Sequence, residues 1–150
     1  LADTRPTLGD LANLWRQRFP VPMVSVTGSN GKTTVKEMLR AILSERGKVL
    51  ATEGNLNNDI GLPLTLFNLN QEHAYAVVEM GANHAGEIAY LSQIAQPQVA
   101  VITLCAPAHL EGFKDVEGVA HAKGEIFSGL QAQGTAIINQ DDVYANLWQE

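Results

Sequence analysis

Gly28-Ser29-Asn30-Gly31-Lys32-Thr33-Thr34 is the stretch of this chain best suited to chemistry, and the chemistry it suits is holding phosphate. Glycines let the backbone curl so that successive N–H groups point inward at an anion. A helix starting there adds the partial positive charge of its N-terminus. Lys32 can reach the outer phosphates, and the Thr33 hydroxyl can hold Mg2+. The common pattern has one more glycine, five residues before the Gly-Lys pair, where this chain has Val26. The early turn is therefore left to Gly28 alone. A plainer alternative is a helix that merely begins after a glycine-rich turn.

Other polar residues stand where an open α/β sheet places its ligand, beyond the carboxyl ends of strands. They are the loop Glu53-Gly54-Asn55-Leu56-Asn57-Asn58-Asp59, the acid Glu79 that closes an apolar run, and His109. Glu79 offers the hard oxygen that Mg2+ prefers, or is a solvated strand end. Lys123 falls within the stripe Val116, Val119, Ala120, Ile126, Phe127 and Leu130. It either snorkels outward or is poised, with a lowered pKa, for covalent modification or catalysis. His84 and His109 lie in loops, where a histidine is as often simply solvated. Cys105, Trp15 and Trp148 read as packing residues.

The elements that must position these groups alternate. Thr7 to Asp10 predicts an N-cap, with Leu8, Leu11, Ala12, Trp15 and Phe19 forming the apolar face of the helix that follows. Pro22 to Val26 predicts a buried strand. Val35, Met38, Leu39, Ile42 and Leu43 predict an amphipathic helix running to about Arg46. A short strand over Lys48–Thr52 and a short helix within Ile60–Leu69 follow. Strands are then expected at Tyr75–Met80, Val99–Leu104 and Gly134–Asn139. Helices are expected at Glu87–Ala95, at about Val116–Ala132, and from Asp141 onward. Such alternation predicts an α/β fold, a mostly parallel sheet covered by helices on both faces.

The composition, 150 residues with 45 % hydrophobic and 17 % charged, fits one globular domain or part of a larger one. No apolar stretch approaches the ~20 residues of a membrane span. The single cysteine excludes an intrachain disulfide and a cysteine-rich zinc cluster, which makes a reducing cytoplasm the expected setting. A net charge of −6 argues against a nucleic-acid surface, so positive charge must be concentrated locally for any nucleotide.

Thr27-Gly28-Ser29-Asn30-Gly31-Lys32-Thr33-Thr34 resembles the phosphate loop of the Mur ligase family, where the missing first glycine is normal. Four further blocks are similar to one branch of that family, the branch that joins D-alanyl-D-alanine to UDP-N-acetylmuramoyl-tripeptide. They are residues 54–63 (GNLNNDIGLP), 79–88 (EMGANHAGEI), 108–113 (AHLEGF) and 122–127 (AKGEIF). A folate-type ligase of the same superfamily fits the Asn-rich and Gly-Ala-Asn-His blocks less well. A GTPase would be expected to carry Asn-Lys-x-Asp, which does not occur here.

The resemblance implies an incomplete, P-loop NTPase-like central domain of a three-domain bacterial enzyme. Residues 1–21 would be a lead-in helix and linker, residues 22–150 part of the ATP-binding domain, and the C-terminal domain would be absent. It implies an ATP-dependent amide ligase of peptidoglycan precursor synthesis, cytoplasmic and monomeric, working through an acyl phosphate. The fragment alone would be a nucleotide-binding module without turnover. Thr27, Gly28, Ser29, Asn30, Gly31, Lys32, Thr33, Thr34 and Asn58 would meet ATP, with Asn57 and Asp59 as alternatives to Asn58. Thr33 and Glu79 would hold Mg2+, and His109 and a carbamylated Lys123 a second one. Lys32, His109 and Lys123 would serve catalysis, and Asn83 and His84 would meet the peptide substrate.

Overall fold

A computed structural model of the protein describes residues 4–107 and 110–149, apart from the side chains at 110 and 111. Its strands are β1 (Met23–Thr27), β2 (Lys48–Ala51), β3 (His73–Glu79), β4 (Val99–Ile102) and β5 (Thr135–Ile138), in the sheet order β2-β3-β1-β4-β5. Every neighbouring pair is parallel. Parallel strands cannot be joined by tight hairpins, so helices lie in the crossovers, α2 (Lys32–Ser44), α3 (Gly61–Phe67), α4 (Glu87–Ala95), α5 (Leu110–Phe113) and α6 (Val116–Gly124), while α1 (Arg5–Gln17) precedes β1. The expected α/β class is what the chain builds. β1 lies at the centre, with β3 on one side and β4 on the other. The crossover from β1 leads to β2 on one side and the crossover from β3 passes β1 to β4 on the other, so the strand order reverses at β1 and a crevice opens at its carboxyl end.

Side chains alternate across a strand, so Met23, Ala76, Val78, Met80, Ala100 and Ile102 share one face. Leu62, Leu66, Ile88, Leu91, Ala120 and Ile126 cover that face and form the main core with them. α1 adds Ala12 to the same core, while α2 packs over β1, β3 and β2 on the other face. Ser25, in the middle of β1, is fully buried, and its Oγ has no hydrogen-bond partner among the described residues. An unsatisfied buried hydroxyl costs about 1 kcal/mol or more. Ser25→Ala is therefore expected to raise the thermal midpoint by about 2–4 °C, followed by circular dichroism. A lower midpoint would mean that the hydroxyl stabilises the strand.

Several elements depart from the expected boundaries. α1 starts at Arg5 rather than after Thr7, because Pro6 is tolerated in a first turn where no N–H partner is needed. Its buried face is Gly9, Ala12 and Arg16, and Leu11 is 53 % exposed. Arg16 can be buried because its guanidinium donates to Ala95 O, Phe19 O and Val21 O. In α2 the expected stripe is only half-buried at Val35, Leu39 and Leu43, and Met38 and Ile42 are exposed. The buried residue of α2 is Lys36.

The helix expected to run from Val116 to Ala132 stops at Gly124 and tightens into a 3-10 turn, Glu125–Gly129. Contacts with α4 take over there. The Glu125 carboxylate accepts from the Gly86 and Ala89 N–H groups, and Ser92 Oγ donates to Ile126 O and accepts from Gly129 N–H. From Asp141 onward the chain forms a 3-10 turn, Ala145–Trp148, in place of the expected α-helix.

Candidate functional site

The phosphate-binding candidates converge at the carboxyl ends of β1, β2 and β3. β1 ends at Thr27, which is fully buried and donates its hydroxyl to Met80 O at 2.8 Å. Gly28 follows with φ 144°, and a Cβ there would stand 1.9 Å from Thr103 Oγ1, so glycine is required. The segment after β4 braces the loop. Ser29 N–H donates to Leu104 O at 2.8 Å, Ser29 Oγ to Ala106 O at 2.9 Å, and Thr103 Oγ1 to Asn30 O at 2.6 Å. These bonds explain why β4 stops at Ile102, two residues before the expected end. Gly31, with φ 81°, opens α2 without a side-chain cap. The first N–H groups of α2 are therefore left for an anion.

Lys32 folds back across the loop, its Nζ 2.8 Å from Gly28 O. Thr33 Oγ1 donates to Glu79 Oε2 at 2.8 Å, and Asn57 Nδ2 donates to Glu79 Oε1 at 2.9 Å. Glu79 closes β3, is buried, and has no cation partner among the described residues. A buried carboxylate beside a hydroxyl is a hard-oxygen pair of the kind Mg2+ takes, so these residues fit that ion. Among the described residues, no group of three His, Cys, Asp or Glu side chains gathers to hold a metal, here or elsewhere. Asn30 and Thr34 are exposed along the same loop and first turn.

Lys123 is only 3 % exposed, which excludes the snorkelling alternative. It lines a cavity of about 260 Å3 together with Gly28, Ser29, Lys32, Asn57 and Asn83. Nothing among the described residues hydrogen-bonds or ion-pairs with its ammonium. Burial first, and the Lys32 ammonium second, lower its pKa from 10.5 to about 8.

Asn58 lines this cavity as well, but its Oδ1 accepts from Gly61 N–H at 2.8 Å and Ile60 N–H at 3.3 Å, which fixes the start of α3. Asp59 pairs with Arg5 at 3.2 Å. Of the three candidates in this loop, Asn57 is the one that touches Glu79. Sequence patterning flagged the Asn-rich loop but carried no signal for which amide turns inward. Asn83 and His84 are held by Glu87, whose Oε2 accepts from the Asn83 N–H at 2.7 Å and whose Oε1 lies 3.0 Å from His84 Nδ1. Asn83 also lines an adjoining cavity of about 410 Å3 with Arg5, Asp59 and Tyr90. His109 lies outside the described residues.

Residues 26–150 match the model of the Mur ligase middle domain. The UDP-N-acetylmuramoyl-tripeptide--D-alanyl-D-alanine ligase of Escherichia coli (strain K12) is 54 % identical over 147 residues, 98 % of this chain and 32 % of that protein. A crystal structure of MurF from Acinetobacter baumannii aligns with a TM-score of 0.96 at 47 % identity, covering 99 % of this chain and 33 % of that one. The MurF ligase from Thermotoga maritima, solved in complex with ADP, aligns with a TM-score of 0.90 at 37 % identity, covering 100 % of this chain and 35 % of that one. The chain thus spans about a third of the length of these relatives. Because the match to that model runs from Val26 to the last residue, this chain belongs to the Mur ligase family, as its middle domain.

Proposed function

We propose that this chain is the ATP-binding part of a bacterial ligase that joins D-alanyl-D-alanine to UDP-N-acetylmuramoyl-tripeptide. The observation that carries the reading is the convergence of Lys32, the Thr33–Glu79 pair and Lys123 beside the start of α2. Kinship to ligases that bear this reaction in their names, and to a MurF ligase solved with ADP, supports it.

A carboxylate is a poor acyl donor and must first be activated. A carboxylate oxygen of the tripeptide attacks the γ-phosphorus of ATP, the bond to the β-γ bridging oxygen breaks, and ADP leaves. The dipeptide amine then attacks the acyl-phosphate carbon, and the tetrahedral intermediate expels phosphate as the nitrogen loses its proton. Little covalent chemistry is left to the protein, whose part is positioning and charge neutralisation. The loop of residues 28–31 and the free N–H groups at the start of α2, with Asn58, cradle the phosphates, Thr27 and Ser29 bracing the loop through Met80 O, Leu104 O and Ala106 O, and Lys32 spreads its charge over the outer phosphates. Thr33 and Glu79 hold the Mg2+ of the nucleotide, which supplies neutralising charge when bound. Lys123, as a carbamate, gives an anionic oxygen for a second Mg2+ together with His109. Asn83 and His84 face the peptide. Residues 1–21 lead into the ATP-binding part, residues 22–150, and other parts of the protein hold the peptide substrates. The setting is the cytoplasm, the enzyme is a monomer, and no described helix is long and apolar enough to cross a membrane.

In the full-length protein, ADP release is expected to require both UDP-N-acetylmuramoyl-tripeptide and D-alanyl-D-alanine. Release with a folate plus glutamate, and none with the two peptide substrates, would overturn the assignment.

A further inference from the structure

Lys36 is the residue α2 buries, at 2 % exposure, although it carries a full charge and lies outside the apolar stripe of the helix. Burying an ammonium is costly unless its donors are satisfied. Here Nζ donates to Thr52 O at 2.6 Å and pairs with Glu37 at 2.9 Å. Thr52 is itself 1 % exposed and stands just past the end of β2. Its N–H donates to Val77 O at 3.1 Å, and its Oγ1 accepts from Glu79 N–H at 2.9 Å. The hydroxyl thus takes over from the β2 ladder at the residue whose carboxylate meets Thr33. Thr33 and Lys36 lie three residues apart on one face of α2, so the bonds close a ring. It runs from α2 through Lys36 to the Thr52 carbonyl, from the Thr52 hydroxyl to Glu79, and from Glu79 back to Thr33.

We propose that Lys36 and Thr52 are positioning residues, which fix the Glu79 carboxylate against Thr33 and so set how tightly the site takes Mg2+ with its nucleotide. The proposal rests on the reading of Thr33 and Glu79 as the Mg2+ pair. Neither residue reaches the cavity that holds Lys32 and Lys123, so they act through Glu79.

The test uses full-length protein and calorimetric titration with ADP alone and with Mg2+ and ADP together. Thr52→Val keeps the shape of the side chain and removes the acceptor, Thr52→Ser keeps the acceptor, and Lys36→Met keeps the stem and removes the donor. In Thr52→Val and Lys36→Met, Mg2+-dependent ADP affinity is expected to fall about ten-fold, the scale for groups that orient metal ligands, with metal-free ADP affinity unchanged. Thr52→Ser should bind as the parent does. Amide exchange in the metal-free protein gives a second readout, with Glu79 N–H losing protection in Thr52→Val and keeping it in Thr52→Ser. Unchanged Mg2+ dependence in a folded Thr52→Val, or equal losses in the serine and valine variants, overturns the proposal. If Lys36→Met fails to fold, the Thr52 pair still decides. Glu79→Gln separates the two layers. If it leaves Mg2+ dependence intact, the Mg2+ pair itself fails; if it abolishes that dependence while Thr52→Val does not, only the positioning role fails.

Discussion

Lys32→Ala in the full-length protein is expected to cut kcat/KM for ATP by about a thousand-fold or more, the scale for removing a group that meets charge developing on a transferring phosphoryl. The side chain already lies across the loop with its ammonium on Gly28 O, so little rearrangement separates it from an incoming triphosphate. What remains after its removal is the start of α2 and its N–H groups, which bind phosphate but add no full charge. Arginine is not expected to substitute, because a planar guanidinium must enter a cavity of about 260 Å3 already shared with Lys123. The fold should not suffer. Lys32 is half-buried, and its charge works against that of Lys123, so the thermal midpoint should hold or rise. Near-normal turnover in a folded Lys32→Ala would remove the phosphate-loop assignment.

The parts of the site that were legible in the sequence are those whose chemistry is local. Residues 28–34 carry their conformational demands in their own side chains, two glycines at positive φ and a lysine one residue after the turn. Glu79 stood out as an acid at the end of an apolar strand, and Lys123 as a cation inside an apolar stripe. Both anomalies mark polar groups that the fold buries on purpose. What was not legible depends on how distant elements meet. Hydropathy placed Met38 and Ile42 in the buried face of α2, yet the helix buries Lys36, because the end of β2 presents the Thr52 carbonyl there. The break at Gly124 follows from bonds to α4, some 35 residues earlier in the chain. Asn57 and Asn58 are chemically identical neighbours, and only the approach of their loop to β3 gives one the carboxylate and the other the helix start.

Lys123→Ala is expected to lower turnover by at least about a hundred-fold, and short carboxylic acids such as acetate should restore part of it. An amine that attacks CO2 loses a proton and becomes a carbamate, which replaces a cation with an anion facing Lys32. Unmodified, the two ammonium groups share one cavity, and among the described residues nothing hydrogen-bonds or ion-pairs with Lys123, the more distant carboxylates of Glu125 and Glu87 offsetting its burial only in part. Its pKa of about 8, against the usual 10.5, means that the fold disfavours the protonated form by about 3 kcal/mol. That penalty is fully present below pH 8 and is lost as pH rises from about 8 to 10.5, so the unmodified protein gains stability over this window. The neutral, CO2-reactive amine falls about ten-fold for each pH unit below 8, so loading from bicarbonate should slow as pH drops from 8 to 6. Carbon-13 bicarbonate and NMR would read the carbamate directly in the full-length protein. Lys123→Met should then be more stable than the unmodified parent at pH 7 yet inactive, with no rise in thermal midpoint on adding bicarbonate, whereas the parent should rise. Failure of acetate to rescue Lys123→Ala, together with a midpoint indifferent to bicarbonate, would leave Lys123 a buried cation and remove the carbamate from the site.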